Sequence, residues 1–306
     1  MGKYLFIVET PFQLLCAYEY LNLKKINPKI VIRKSSVGAN DFQIDSMLGD
    51  MGRLDAVQII IRPRRAMDFF KCVLKLLPIF FVNYEEVVLG SYFSGVQRKI
   101  ARLVSKRGVV LLDDGVASVL ADKVISEKEP GVYSAFSIFP LRAASYRRVE
   151  SNSFKAVSER YDCYVQEDLS CFFIGQSLVD IGAIDMDSYV RAVKVCAEAT
   201  NGSMLNYIPH RTESAECIDM VKKIDGVRVF PTDCAIEYYM LKERIKPVNV
   251  YSVISTALYS IATIYPDSGV FCVQPKRLKS SMFEHYGDIV RIFKEHPNGI
   301  CFLDVE

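Results

Sequence analysis

His210, one of three histidines in this 306-residue chain, stands just after Leu205–Ile208, an apolar strand-sized run that Pro209 ends. At the C-terminal mouth of a strand, an imidazole can donate a hydrogen bond to a phosphate. Once protonated, it can also neutralise a departing anion. A satisfied structural histidine is the other reading of the same residue. Glu213 is expected to open the following helix. The pair Asp113-Asp114 closes the apolar run 109–112 and precedes Gly115, which lets the backbone turn sharply. Adjacent acids on extended chain point to opposite sides, so only one of them can face a ligand and take a proton from an attacking hydroxyl. An Asp-Gly turn whose side chain caps the next helix is the alternative.

Glu237 falls in the first turns of a helix that follows the strand-like run 227–230, with Pro231, Thr232 and Asp233 between them. A carboxylate there can accept both hydroxyls of a ribose, or it can be a solvated helix-face residue. Ser255 and Thr256 follow the run 248–253 and begin a helix. Two hydroxyls and the N–H groups of a helix N-terminus suit a phosphate, and simple N-capping by Ser255 accounts for them equally. Gly175-Gln176-Ser177 is a permissive loop at the mouth of another strand, Cys171–Ile174. The intervals from His210 to Glu237 and from Glu237 to Ser255 each fit one helix plus one strand, which predicts groups lining adjacent strand ends. His296-Pro297, beside an Asn298-Gly299 turn, reads as a helix stop. Asp185-Met186-Asp187 has the spacing of a metal-binding pair but the setting of a helix N-cap, so no metal site is expected.

The elements that must position these groups alternate. Strand-like runs at 3–8, 29–32, 57–61, 86–89 and 109–113 are separated by helical stretches such as 12–23, 42–51 and 96–105. Thr10 serves the first helix as N-cap, and Pro11 takes its first position. A polar stretch over 144–168 marks a domain boundary near residue 155. A second series follows, with strands at 171–174, 205–208, 227–230, 248–253 and 270–273 and helices at 188–200, 214–223, 234–244 and 256–264. Apolar strands alternating with helices predict parallel sheets covered on both faces. The expectation is therefore α/β, with two doubly wound Rossmann-like domains, 1–155 and 156–306, facing a cleft.

Bulk composition describes a globular, well-packed protein. Half the residues are hydrophobic, 24% are charged and the net charge is +2, which gives no reason to expect nucleic acid as a partner. Nine scattered cysteines, without a Cys-x-x-Cys pair, read as buried thiols of a cytoplasmic protein. No apolar run is long enough to span a bilayer, and no signal peptide opens the chain. Residues 62–82 combine Arg62, Arg64, Arg65, Lys71 and Lys75 with Phe69, Phe70, Leu74, Leu76 and Leu77. They read either as a helix that holds the inner face of the cytoplasmic membrane peripherally or as an ordinary amphipathic helix running into a buried strand.

Taken together, the acidic pair with Gly115, then His210, then Ser255-Thr256 is similar to the ordered motifs of bacterial sialyltransferases. Thr10-Pro11-Phe12-Gln13-Leu14 and Gly175-Gln176-Ser177-Leu178 most resemble the lipooligosaccharide and capsule sialyltransferase family. The resemblance spans roughly residues 4–260, through short motifs. It implies a GT-B-type glycosyltransferase that moves sialic acid from CMP-sialic acid, with inversion, to a galactose-type terminus of a surface glycan or glycolipid, without metal or cofactor. By the same resemblance Asp114 matches the general base, beside Asp113. His210 would serve the phosphate, Glu237 the ribose, and Ser255 and Thr256 the phosphate. Gly175, Gln176, Ser177, Arg211 and Pro231 fall on the donor side, and Thr10, Pro11, Gln13 and Gly115 on the acceptor side. The histidine motif departs from the family order: Pro209 precedes His210, and Arg211 follows where proline is expected. Some members use an acid just before the histidine strand, which brings in Asp180, Asp185 and Asp187. Rival readings are a nucleotide-sugar epimerase or hydrolase of the same fold and a non-catalytic nucleotide- or glycan-binding protein. The acceptor, the linkage and the oligomeric state are not written in the motifs.

Overall fold

The computed structural model describes residues 2–34, 38–52, 54–60, 66–161, 170–283 and 286–305, with backbone alone for 66–70. Arg62, Arg64 and Arg65 lie outside the described residues. The chain forms two compact units: Met1–Val157 with Asp233–Ala235, and Ser158–Thr232 with Ile236–Glu306.

Unit 1 begins with β1 (Tyr4–Val8), α1 (Pro11–Lys24), β2 (Lys29–Lys34), α2 (Gly38–Asp50) and β3 (Asp55–Ile60). It continues through α3 (Ala66–Phe80), β4 (Asn83–Leu89), α4 (Gly95–Leu103) and β5 (Ser105–Leu111). Last come α5 (Ala117–Lys128), β6 (Ser134–Ser137), β7 (Val149–Ser151) and the short α6 (Lys155–Ser158). The seven strands are all parallel and ordered β3-β2-β1-β4-β5-β6-β7. Leu5 to Val8 are fully buried, as a central strand covered on both faces requires. The order reverses at β1, which has β2 on one side and β4 on the other. In an open α/β sheet that switch point is where a crevice forms outside the carboxyl ends of the strands.

Thr10 caps α1 by accepting from the Gln13 N–H (3.2 Å), with Pro11 in the first turn, as the sequence predicts. β5 starts at Ser105, four residues before the apolar run, because Ser105 pairs with Asn83 of β4. α5 enters the sequence expectation only as the helix that an Asp-Gly turn would cap, and β6 and β7 do not enter it. Glu19 of α1 is buried, and its carboxylate accepts from the Ala156 and Val157 N–H groups (2.9 and 2.7 Å) at α6.

Unit 2 contains β8 (Cys171–Ile174), α7 (Met186–Glu198), β9 (Leu205–Ile208), α8 (Ala215–Val221) and β10 (Val227–Val229). Then follow α9 (Ile236–Lys242), β11 (Asn249–Ser252), α10 (Thr256–Ile264), β12 (Gly269–Pro275), α11 (Tyr286–Lys294) and β13 (Cys301–Val305). Its six parallel strands are ordered β10-β9-β8-β11-β12-β13, with the switch point between β8 and β11. This order corrects one expectation. His210 follows β9 and Ser255 follows β11, so β8 lies between them and their strand ends are not adjacent. Glu237 lies in the first turn of α9, on the helix where the sequence places it.

Among the described cysteines seven are buried thiols and Cys301 is exposed. No described helix is long and apolar enough to cross a membrane.

Candidate functional site

In unit 1 the motif residues converge at the switch point. Gln13 is 2% exposed, and each end of its amide is assigned by its partners. Oε1 accepts from the Glu9 N–H (2.9 Å) and from Gln97 Nε2 (3.2 Å), so Nε2 is the end that donates to Asp114 Oδ1, at 2.5 Å. The contact joins residues 101 apart in sequence. Gly90, after β4, leaves the room for it, since a Cβ there would overlap the Gln13 amide. Gly115 turns the chain with φ +66°, and the Asp114 N–H donates to the Ser118 hydroxyl (2.8 Å). The helix that follows has Val116 as N-cap, with no side-chain cap bond.

The two acids part company, as their alternation requires. Asp113 is fully buried, accepting from the Ser137 hydroxyl (2.5 Å) and the Ile138 N–H (2.8 Å), and it ties the end of β5 to β6. Loss of solvent pushes its carboxyl up to about 7 against those hydrogen bonds. Asp114 is half-buried. Both acids line a small pocket, a cavity of about 20 Å³, walled also by Tyr92, Phe93 and Tyr146.

In unit 2 one hydrogen-bonded chain ties three loops. After β8, Gln176 turns its Oε1 onto the Ile254 N–H (3.0 Å) beyond β11, while its own N–H donates to the Tyr189 hydroxyl (3.1 Å). Tyr189 and Tyr207 hydroxyls are 2.9 Å apart, and Tyr207 donates to Glu213. A phenol has one proton to give, so Tyr189 is the donor between the two rings. Glu213 completes the chain by accepting the His210 N–H (2.9 Å). Thr212 Oγ1 makes a second tie to Ser177 Oγ (3.1 Å).

His210 is half-buried, and burial, then the Arg211 charge, lowers its pKa. Its Nδ1 accepts from the Thr212 N–H (3.3 Å) and lies 2.8 Å from the Thr212 hydroxyl. A backbone N–H can only donate, so the neutral ring carries its proton on Nε2.

Glu213 was read from sequence as opening a helix. Instead Ser214 caps α8, accepting from the Cys217 N–H, and the half-buried Glu213 anchors the His210 loop. Burial raises its carboxyl, opposed by the donors Tyr207, His210 N–H and Cys217. One sequence signal pointed there: Tyr207 lies in a buried strand, and its hydroxyl needs a partner.

Glu237 is 4% exposed, so the solvated reading is overturned. Its Oε1 accepts from the Ser260 hydroxyl (2.6 Å), binding α9 to α10, and burial raises its pKa. Ser255 caps α10 with Thr256 as its first residue, and its hydroxyl accepts from the Ala257 N–H (3.3 Å). Asp185 caps α7, and Asp187 is exposed in that helix's first turn. Asp180 is exposed and accepts from the Ser214 N–H (3.2 Å) at the start of α8. Arg211 and Pro231 are exposed. His296 is buried against Tyr259 with its Nδ1 accepting from the Asn298 N–H (3.1 Å), a helix stop in fact. Among the described residues no cluster of three or more His, Cys, Asp or Glu could hold a metal ion.

Two parallel-sheet units of this kind recur in solved enzymes. The α/β-galactoside α-2,3-sialyltransferase of Photobacterium phosphoreum aligns over 98% of both chains at 11% identity and TM-score 0.54. The UDP-GlcNAc 2-epimerase of Neisseria meningitidis, bound to UDP-GlcNAc, aligns over 96% of this chain and 91% of its own, at 11% identity and TM-score 0.57. E. coli heptosyltransferase WaaC with ADP aligns over 99% and 93%, at 11% identity and TM-score 0.51. The fold is GT-B. No protein-family profile matches the chain, and no curated protein does. At such identities the likeness establishes architecture, and chemistry must come from the residues.

Gly175 shows how tightly the unit 2 chain is packed. A Cβ there would stand 2.5 Å from the Tyr207 hydroxyl and 2.7 Å from Glu213 Oε2. Gly175→Ala is expected to cost about 1–3 kcal/mol by overpacking, read as a lower urea midpoint. In a Tyr207→Phe background, where the hydroxyl is gone, the same substitution should cost less. Equal costs in both backgrounds would place the strain elsewhere.

Proposed function

We propose that the protein is an inverting glycosyltransferase that moves sialic acid from CMP-sialic acid to a galactose-type terminus of a bacterial surface glycan or glycolipid, without a metal or cofactor. The observation that carries this reading is the Gln13–Asp114 contact, in which two distant motifs meet at the switch point of unit 1. A carboxylate oriented by an amide donor is suited to take the proton of an acceptor hydroxyl as the new glycosidic bond forms. Asp180 and Asp187 are weaker candidates for that base, because each sits at a helix N-terminus that satisfies its charge.

On the donor side His210 offers its Nε2–H to the departing phosphate of CMP, and Arg211 adds positive charge. Ser255 and Thr256, with the N-terminus of α10, hold that phosphate, and Glu237 accepts the ribose hydroxyls. Gln176 fixes the distance between the β8 and β11 loops; Gly175, Ser177 and Pro231 shape the rim. Thr10, Pro11 and Gly115 serve the acceptor side by placing Gln13 and Asp114. CMP is a good leaving group once its phosphate charge is matched, so positioning and electrostatics suffice. The protein would work in the cytoplasm, peripherally on the inner face of the membrane.

The test is CMP release from CMP-sialic acid with galactose-terminated acceptors in EDTA, with the glycan product identified. Loss of turnover in EDTA and its recovery with magnesium would reject the metal-free mechanism. A second reading, an epimerase of UDP-GlcNAc type, is favoured by the TM-score of 0.57 to such an enzyme. Conversion of UDP-GlcNAc without any acceptor would replace the first reading.

A further inference from the structure

α3 is apolar on two faces. Cys72, Leu76 and Ile79 point into the core of unit 1. On its outer side Leu74 is 54% exposed and Leu77 45%, and Phe81, just past the helix end, is 82% exposed. Pro78, on the same turn, is also exposed. A soluble surface tolerates single apolar residues, but a strip along one helix face marks an interaction surface.

The strip does not end with α3. α3 and α4 cover the same face of the sheet, since Cys72, Leu76, Ile100 and Ala101 share one core cluster. Phe81 leads into β4 and Leu103 into β5, each two residues before the paired residues Asn83 and Ser105. That register sets Leu103, 67% exposed, at the same end of the same face as Phe81. Beside Pro78 this end of the sheet also opens a pocket of about 360 Å³, walled by Tyr4, Ile26, Ile79, Val82 and Tyr84, with Lys3 at its edge.

Exposed basic residues border the strip among the described residues. Lys71 and Lys75 flank it on α3, and Lys99 and Arg102 on α4; all four are exposed. The acids at this end are matched: Asp55 by Lys29 (2.5 Å) and Glu85 by Arg107 (3.0 Å). An apolar strip inside a cationic rim is complementary to a bilayer with anionic headgroups. The rings and branched chains enter the headgroup–acyl boundary, while the lysines keep their charge at the phosphates.

We infer that the exposed α3–α4 edge, centred on Leu77, Phe81 and Leu103, docks unit 1 onto an anionic lipid surface. This deepens the peripheral membrane association in the proposed function, and it is independent of which sugar is transferred. For a transferase with a glycolipid acceptor, such docking confines enzyme and acceptor to one plane.

The test needs no substrate. The full chain is floated with vesicles of phosphatidylglycerol and phosphatidylethanolamine, and in parallel with phosphatidylcholine alone. Co-flotation is expected with the anionic vesicles, weakened by high salt. It should drop at least several-fold in Phe81→Ser/Leu103→Ser and in Lys71→Glu/Lys75→Glu, with thermal unfolding of both variants close to the parent's. No flotation with anionic vesicles, or equal flotation by well-folded variants, would overturn the inference. So would a dimer in sedimentation that the apolar variants dissociate, because the strip would then be covered by a second copy. Failure of the transfer assay with flotation intact would remove the enzymatic reading and leave the docking surface standing.

Discussion

Asp114→Asn is expected to lower transfer by about 10²–10⁴ while leaving the fold intact. Asparagine keeps an oxygen where Asp114 Oδ1 now accepts from Gln13 Nε2 at 2.5 Å, so the loop has no reason to move. What disappears is the capacity to take a proton. The loss should fall on kcat more than on KM, because proton acceptance develops in the transition state.

Asp113→Asn is the internal control. Asp113 is fully buried and bonded to Ser137 and Ile138, so its replacement should leave turnover near the parent's. It should instead change how stability depends on pH. Burial pushes the folded carboxyl up to about 7. Between about pH 4, where an unfolded aspartate ionises, and about pH 7, the folded chain holds a proton that the unfolded chain has lost. This group therefore makes stability fall as pH rises through that window. Asparagine removes the contribution, and the decline should flatten. It should not vanish, because Glu213 and Glu237 are raised in the same direction. Near-parental turnover in Asp114→Asn would move the base elsewhere, with Asp180 and Asp187 next to be tested.

Parts of this arrangement were open to reading from the amino-acid order, and others were not, for physical reasons. The bounds of β8, β9 and α10 match the sequence expectation because each apolar run is closed by Gly, Pro or a capping hydroxyl. β6 was missed because Ser134 and Ser137 flank only two apolar residues, Ala135 and Phe136. The rule that one helix plus one strand separates neighbours fails at a switch point. There the chain leaves β10 and returns on the far side of β8, so His210 and Ser255 are separated by a strand. Motif spacing counts residues along the chain and carries no sheet order.

Glu213 shows a second limit. An acid before a helix satisfies local rules, and those rules place it at the helix N-terminus. Its actual partners, Tyr207 and the space that Gly175 leaves empty, are tertiary. Gln13 was placed on the acceptor side through a motif resemblance, but its bonds to Gln97 and Asp114 cross 84 and 101 residues. No pattern within α1 encodes them. α3 was read as either membrane-facing or an ordinary amphipathic helix, and its apolar side chains point both ways: Leu76 is buried while Leu77 is exposed.

His210→Ala should cut turnover by about 10² or more, and the tautomer makes a sharper claim about how. Because Nδ1 accepts the Thr212 N–H, the neutral ring already presents a donor at Nε2. Burial and Arg211 hold its pKa below the usual imidazole value. The free enzyme at neutral pH thus carries an uncharged His210 that donates without a prior protonation step. The profile of kcat/KM, which reports the free enzyme, should then show no loss of activity as pH rises through about 6.5, the ordinary histidine range. A ring that worked as a cation would give the opposite: activity falling as it deprotonates. His210→Gln, whose amide can donate from near the Nε2 position, should recover part of what alanine loses. Glu213→Gln should retain the proton position on His210 but weaken the anchor of its loop, raising KM for the nucleotide donor. If His210→Ala and His210→Gln fail equally while both fold, donation from Nε2 is not the contribution. If alanine is harmless, His210 belongs to the structure of the loop alone.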